Sequence, residues 1–413
     1  MKEENTQPNL QDSMGYLHKG SKDVFQKAYD FVEADFIRGM NIYPYYQTID
    51  SNEGTHCIIE GKEVIMLGSN NYLGLTTHPE VRQASMDAVN EYGTSLTGSR
   101  LLNGTHKLHL KLEKDIAEFF GKETSLVFAT GYQANIGVLS ALISKGQMLV
   151  MDKYDHASIY DSSKLAKGDA VQFKHNDMGD LEKVLSGIDN DVGKMIMIDG
   201  VFSMEGDLAP LDSIVKLKNK YNTRLVVDDA HGVGVVGPGG RGTAHHFGVE
   251  KDVDLIVGTF SKSLASVGGF VTGDEKIIDF IKHYGRSIVF SASLPPASVA
   301  AANAALDVLK REPERVERVQ YNAGYMKKNL VDLGFDVGDS ETPIIPIIVG
   351  DEILSLTLWR ELLDLGVYVN SVVYPAVPRG RAVLRTSYTS EHKKEDLDKA
   401  LEALVTLKKK HNW

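Results

Sequence analysis

Three short stretches carry the residue types that one kind of chemistry needs: Asp155-His156-Ala157-Ser158, Asp228-Asp229-Ala230-His231 and Gly258-Thr259-Phe260-Ser261-Lys262-Ser263. A lysine amine can hold an aldehyde as a Schiff base, and an aspartate can keep a pyridine nitrogen protonated so that the ring accepts electrons. A histidine can lie on the ring face or hydrogen-bond its phenolate. Together, and in this order, they read as a pyridoxal 5′-phosphate site. Each type alone says little, because most lysines are solvated surface charges and the chain has 13 histidines. Asp228 ends the apolar run Leu225-Val226-Val227, where a carboxylate is costly unless it is paired or charge-compensated. A pyridinium N–H would compensate it; a carboxylate capping a nearby helix is the plainer alternative.

The turn Ala129-Thr130-Gly131-Tyr132-Gln133 follows an apolar run and opens a helix. Its backbone N–H groups are placed to receive a phosphate, helped by the helix dipole. Thr259 and Ser261 flank the lysine and bring hydroxyls suited to the same phosphate, although structural caps would look identical. Metal chemistry finds no support: neither Cys-x-x-Cys nor His-Glu-x-x-His occurs, and His245-His246 is an adjacent pair whose side chains need not converge. The Gly237-Pro238-Gly239-Gly240 run lacks the Gly-Lys-Ser/Thr ending of a phosphate loop.

The elements that must position these groups follow from periodicity. Val24, Phe25, Ala28, Phe31, Val32 and Phe36 recur at helical spacing and predict a first amphipathic helix that packs on a partner surface. Residues 56–68 alternate around a Glu60-Gly61 turn, predicting a small hairpin. From about 125 come short apolar runs separated by helix-length connections: Leu126–Ala129, Met148–Met151, Met195–Ile198, Leu225–Val227, Leu255–Val257, Phe270–Thr272 and Ile288–Phe290. Runs apolar on both faces predict an α/β fold with a mostly parallel central sheet covered on both sides. After Pro295-Pro296 a long helix, a charged helix to about 333, strands at Ile344–Val349, Val367–Val369 and Ala382–Leu384, and helices near 354–365 and 394–410 make a smaller C-terminal α/β domain. The division expected is 1–58 as N-terminal tail and helix, 59–292 as the large cofactor-binding domain, and 293–413 as the C-terminal domain.

Composition limits the function classes. The 413 residues are 42% hydrophobic and 24% charged, as in soluble globular proteins, and no apolar run approaches the ~20 residues of a membrane span. A net charge of −11 argues against nucleic acid as a partner. Cys57 is the one cysteine, so no internal disulfide forms, and residues 1–23 are polar and mixed in charge; both fit a cytoplasmic protein.

Asn71-Tyr72-Leu73-Gly74, Gly98-Ser99-Arg100, Asp155-His156-Ala157-Ser158, Ser203-Met204-Glu205-Gly206-Asp207, Asp228-Asp229-Ala230-His231 and the Lys262 stretch resemble, in the same order, the α-oxoamine synthase family. The likeness spans roughly residues 40–410. That family comprises pyridoxal phosphate enzymes of the fold type I transferase class, which condense an amino acid with an acyl thioester and release carbon dioxide. Leu101-Leu102-Asn103-Gly104-Thr105, Gly131-Tyr132-Gln133-Ala134-Asn135 and Phe290-Ser291-Ala292-Ser293 resemble its serine-using branch more than its glycine- or alanine-using ones. The departures are Leu102 and Tyr132, where that branch often has Phe; they leave the acyl-chain length open.

Carried over by resemblance, Lys262 is the Schiff-base lysine, Asp228 the pyridinium partner, His156 the ring-stacking residue and His231 the phenolate contact. Gly131, Tyr132, Thr259 and Ser261 hold the phosphate, Ser203 is a near-ring polar contact, and Ser291 belongs to the cofactor site of the neighbouring subunit in a homodimer whose sites lie at the interface. Arg385, in Leu384-Arg385-Thr386-Ser387, receives the substrate carboxylate with Asn71, a guanidinium fork suiting that group. The resemblance implies condensation of L-serine with a long-chain acyl thioester, on coenzyme A or acyl carrier protein, to a 3-keto sphingoid base, the first step of sphingolipid synthesis. The insoluble product implies transient contact with a membrane surface, though no strongly basic amphipathic helix marks an anchor. Rival readings are glycine with acetyl-CoA, alanine with a pimeloyl thioester, and an ordinary aminotransferase. A silent partner-binding subunit would be expected to lack the lysine.

Overall fold

Six strands whose residues are buried almost throughout form, with one exposed edge strand, the central sheet of this computed structural model, which describes residues 22–413. The spatial order is Thr124–Phe128, Gly269–Gly273, Leu255–Thr259, Arg224–Asp228, Lys194–Asp199, Met148–Asp152 and Asp169–Phe173. The last five in that order, beginning with Leu255–Thr259, pair in parallel. Gly269–Gly273 runs antiparallel to both its neighbours, with Gly269 opposite Thr259 on one side and Phe128 on the other.

Alternation along the strands feeds two cores. Val150, Ile196, Ile198, Val227, Ile256 and Phe270 face one layer, in which helices Lys107–Phe120 and Pro296–Arg311 pack. Leu149, Met151, Met197, Val226, Val257 and Val271 face the other, covered by helices Gly131–Leu142 and Glu275–Tyr284. Successive side chains point to opposite faces, so a strand buried on both sides must be apolar throughout.

A third core joins two smaller sheets. One has the order Ile344–Gly350, Ala382–Ser387, Asn370–Val372, all antiparallel. The other sets the predicted hairpin, His56–Ile59 with Lys62–Met66, against Val367–Tyr368. Its turn residues Glu60 and Gly61 both have positive φ, 53° and 71°, the requirement of the tight two-residue turn that matches strand twist. Packing therefore divides the chain differently from the boundaries drawn above. Cys57, Ile59, Val64 and Met66 share a core with Trp359, Tyr388 and Leu404, whereas Val299, Ala302, Ala305 and Leu309 of the helix after Pro295 belong to the large-sheet core.

Other expectations are corrected locally. Ile288–Phe290 is not a strand: Arg286–Val289 is one helical turn, with Ile288 buried in the core beneath helix Gly131–Leu142. Asp169–Phe173 is a strand without an apolar run, because as the sheet edge it leaves most of its side chains in solvent. The N-terminal helix is two short ones, Gln26–Tyr29 and Glu33–Gly39; Phe25, Phe31, Val32 and Phe36 stay exposed while Ala34 and Ile37 are buried. Most of the polar tail, residues 1–21, lies outside the described residues. Among the described residues no helix is long and apolar enough to cross a membrane.

Candidate active site

The parallel strands all end on one edge of the sheet, where open α/β folds bind ligands. A cavity of 280 Å³ lies there, lined by Gly131, Tyr132, His156, Asp228, His231, Thr259, Ser261 and Lys262. All eight are residues singled out from sequence. Asn135, Ser158 and Asp199 line it as well.

Each group is held by its own local structure. Thr130 caps helix Gly131–Leu142, accepting the Gln133 N–H at 3.0 Å, so the first turn presents its free N–H groups to the cavity. A Cβ on Gly131 would lie 3.0 Å from that of Thr259, and one on Gly269 would come within 2.6 Å of Gly131; glycine at both positions lets the helix start press against the lysine loop. Thr259 and Ser261 share a hydroxyl hydrogen bond of 2.8 Å. The turn carrying His156 is clamped to the next strand: Asp155 accepts the N–H groups of Asp152 and Asp199 at 2.7 and 2.8 Å, and Asp199 accepts that of His156 at 3.1 Å. Burial pushes both of these carboxyls well above the usual carboxylate range.

Asp228 sits at the end of its strand, 6% exposed. Its Oδ2 accepts from Asn135 Nδ2 at 2.7 Å and its Oδ1 from the Ala230 N–H at 3.1 Å. Asn135 also donates to Ser158 Oγ at 2.8 Å, and that hydroxyl meets His156 Nδ1 at 2.7 Å. Burial lowers the pKa of His156. The Lys262 amine has no hydrogen bond among the described residues. Burial lowers its pKa to about 8, against the pull of Asp228 and Asp199, with Arg385 adding to the lowering.

These residues fit pyridoxal phosphate. The cavity offers an amine with nothing to bond to, a buried carboxylate on the same lining, and helix-start N–H groups; the Asn135 Oδ1, buried without a partner, marks a polar wall prepared for more than packing. A testable consequence concerns pH. Only the free amine attacks an aldehyde, so capture of pyridoxal phosphate by the cofactor-free protein should accelerate roughly tenfold per pH unit up to about 8 and level off above it. Stopped-flow absorbance reads this, and a rate still climbing beyond pH 9 would place the amine in solvent. A lowered folded pKa also means that the cofactor-free fold gains stability as pH rises from about 8 towards the unfolded value near 10.5.

The other residues named from sequence do not line the cavity. Arg385 is 3% exposed and has no carboxylate partner among the described residues. It donates from Nε to the carbonyl of Ser203 at 2.6 Å, from Nη1 to Ser387 Oγ at 2.9 Å and from Nη2 to Asn70 Oδ1 at 3.1 Å. A buried guanidinium held only by neutral acceptors keeps its charge without a counter-charge. Ser203 thus serves it through its backbone. Asn71 instead bonds to Thr76 within its own loop, at 2.9 Å, because at this bend the preceding residue is the one turned to Arg385. Ser291 accepts from Gln133 Nε2 at 3.0 Å. Asn70 and Asp199 were not singled out from sequence, and Tyr72 and Asn135, though within stretches quoted above, were given no role; one signal was present for Asn135, which stands one helical turn after Gly131.

The family model described as aminotransferase class I and II matches residues 62–404. The serine palmitoyltransferase of Sphingobacterium spiritivorum is 45% identical over 369 residues, 89% of this chain and 92% of that protein. The 8-amino-7-oxononanoate synthase of Thermoanaerobacter pseudethanolicus is 43% identical, over 93% and 98%. A structure of serine palmitoyltransferase from S. paucimobilis, carrying a lysine-to-alanine substitution and a bound pyridoxal phosphate–myriocin aldimine, superposes with a TM-score of 0.92 at 34% identity, covering 94% of this chain and 99% of that one.

Proposed function

Since the chain belongs to the aminotransferase class I and II family, we propose that its cavity holds pyridoxal 5′-phosphate and that the protein condenses L-serine with a long-chain acyl thioester, releasing carbon dioxide and a 3-keto sphingoid base. The observation that carries this reading is the buried, unbonded Lys262 amine sharing with Asp228, whose charge raises its pKa, the lining of a 280 Å³ cavity. The likeness to serine palmitoyltransferases over nine-tenths of the chain supports the choice of substrates.

Bound pyridoxal phosphate supplies a sink for the electron pair left when a bond to the amino acid Cα is broken. The protein does the rest. Lys262 would anchor the cofactor through its amine and, when neutral, would be the base that holds the proton taken from Cα. Asp228 keeps the pyridine nitrogen protonated and Asn135 holds that carboxylate in line. His156 would cover the ring face and His231 would meet the phenolic oxygen, both from the cavity lining. Gly131, Tyr132, Thr259 and Ser261 receive the phosphate. Arg385 takes the substrate carboxylate, which orients the amino acid before that group leaves as carbon dioxide. Ser203 steadies Arg385.

The protein works in the cytoplasm as a homodimer, with Ser291 serving the neighbouring subunit. Tyr132 and Val267 line the cavity yet remain 42% and 55% exposed, an apolar rim that a second subunit would cover. The product requires transient contact with a membrane surface.

Trapping radiolabelled carbon dioxide from carboxyl-labelled serine, glycine and alanine, each with short and long acyl thioesters, tests the reading. Serine with a long-chain thioester should exceed the other pairs at least about tenfold in kcat/KM. Alanine with a pimeloyl thioester leading instead would install the 8-amino-7-oxononanoate synthase reaction, the alternative that the 43% identical relative supports. Keto-acid exchange without carbon dioxide would leave an aminotransferase.

A further inference from the structure

His231 and Arg385 are joined by a run of hydrogen bonds through Asn70 and Tyr72. Arg385 Nη2 donates to Asn70 Oδ1 at 3.1 Å. The Tyr72 hydroxyl lies 3.2 Å from that oxygen and 2.8 Å from Nδ1 of His231. Tyr72 is fully buried and its carbonyl is pinned by the Ser390 N–H at 2.8 Å, so the ring has nowhere to swing.

A phenol has one proton to give, and here it has two acceptors within reach. Asn70 Oδ1 already receives a charged guanidinium, whereas the hydroxyl is the only hydrogen-bond partner of His231 Nδ1 among the described residues. Burial holds His231 well below the ordinary imidazole range, and Lys262, Arg385 and His156 push the same way; the ring is neutral and carries its single proton on one nitrogen or the other. Burial pushes the Tyr72 phenol up to about 12, against the pull of Arg385, so it remains a donor.

We propose that Tyr72 is a positioning residue: its O–H, donated to Nδ1, holds His231 as the tautomer with N–H on Nε2, the nitrogen left free for the cavity, and through Asn70 it ties that tautomer to the engagement of Arg385. A donor at Nε2 is what an anionic ring oxygen needs; the other tautomer would turn a lone pair towards it. When a carboxylate draws the Arg385 fork, Asn70 loses its charged donor and its oxygen competes for the Tyr72 proton. Occupation of the carboxylate site is thereby felt at His231, and the coupling is reciprocal. The use made of Nε2 rests on the proposed cofactor; the tautomer does not.

The test uses ¹⁵N-histidine NMR of the cofactor-free protein, with the His231 signals identified by their loss in His231→Gln. Wild type should show N–H on Nε2, and Tyr72→Phe should lose that preference. Propionate, a carboxylate without an amine, should shift the His231 nitrogens in wild type and not in Asn70→Ala. In the reconstituted enzyme, the visible band of the lysine-linked cofactor should titrate about half to one pH unit higher in Tyr72→Phe, the worth of one hydrogen bond to its oxygen. An Nδ1–H tautomer in wild type overturns the proposal even if Tyr72→Phe fails to fold, as does an unchanged tautomer in a folded Tyr72→Phe. A wild type with N–H on Nε2 but no visible band supports this assignment while removing the cofactor reading.

Discussion

Lys262→Ala is expected to lower turnover by at least about 10⁴-fold, because one substitution removes both the covalent anchor and the base at Cα, and a general base alone is worth 10²–10⁴. The visible band formed on adding pyridoxal phosphate should vanish with it. The fold should survive: the amine makes no hydrogen bond among the described residues and sits where burial disfavours its charge, so its removal leaves no partner stranded. Thermal melting of the cofactor-free variant should match wild type or exceed it. Turnover within tenfold of wild type would end the case for this lysine.

Asp228→Asn separates charge from shape. The amide oxygen still accepts from Asn135 or from the Ala230 N–H, though not from both, so the side chain keeps its shape at the loss of one hydrogen bond, while the ring nitrogen loses its counter-charge. Turnover should fall roughly 10²–10³-fold, the loss that follows removal of one well-placed electrostatic partner. Capture of the cofactor should move the other way. Asp228 is the carboxylate that most raises the Lys262 pKa, and without its charge that pKa drops below about 8, so that more amine is free at pH 7 and the visible band appears faster. A variant slow in both steps, or normal in both, would remove Asp228 from the role given it.

What was legible in the sequence is what lies just past a strand. Lys262, Asp228, His156 and Gly131 follow short runs apolar on both faces and separated by helix-length connections, the pattern of interior parallel strands; their ends converge because parallel strands share an edge. What was not legible depends on contacts between distant stretches. Whether Asn70 or Asn71 turns to Arg385 is decided across 315 residues, by a bend that leaves the two neighbours facing opposite ways. Asp199 lies one residue past the apolar run Met195–Ile198, and only the clamp with the Asp155 turn gives it a place beside the cavity. Ile288–Phe290 misled because three apolar residues suit a helical turn as well as a strand.

The antiparallel course of Gly269–Gly273 has a consequence for assembly. Lys262 stands on a hairpin loop closed by the Thr259–Gly269 pair, so its mount is complete within about a dozen consecutive residues and needs little chain to be gathered in. Asp228 and His156 hang on strands that must be brought alongside through long crossovers, the slower kind of contact. The lysine loop is thus a self-contained module onto which the remainder of the pocket docks, and a chain interrupted late in folding would already carry its nucleophile in shape while lacking the acid that gives it work.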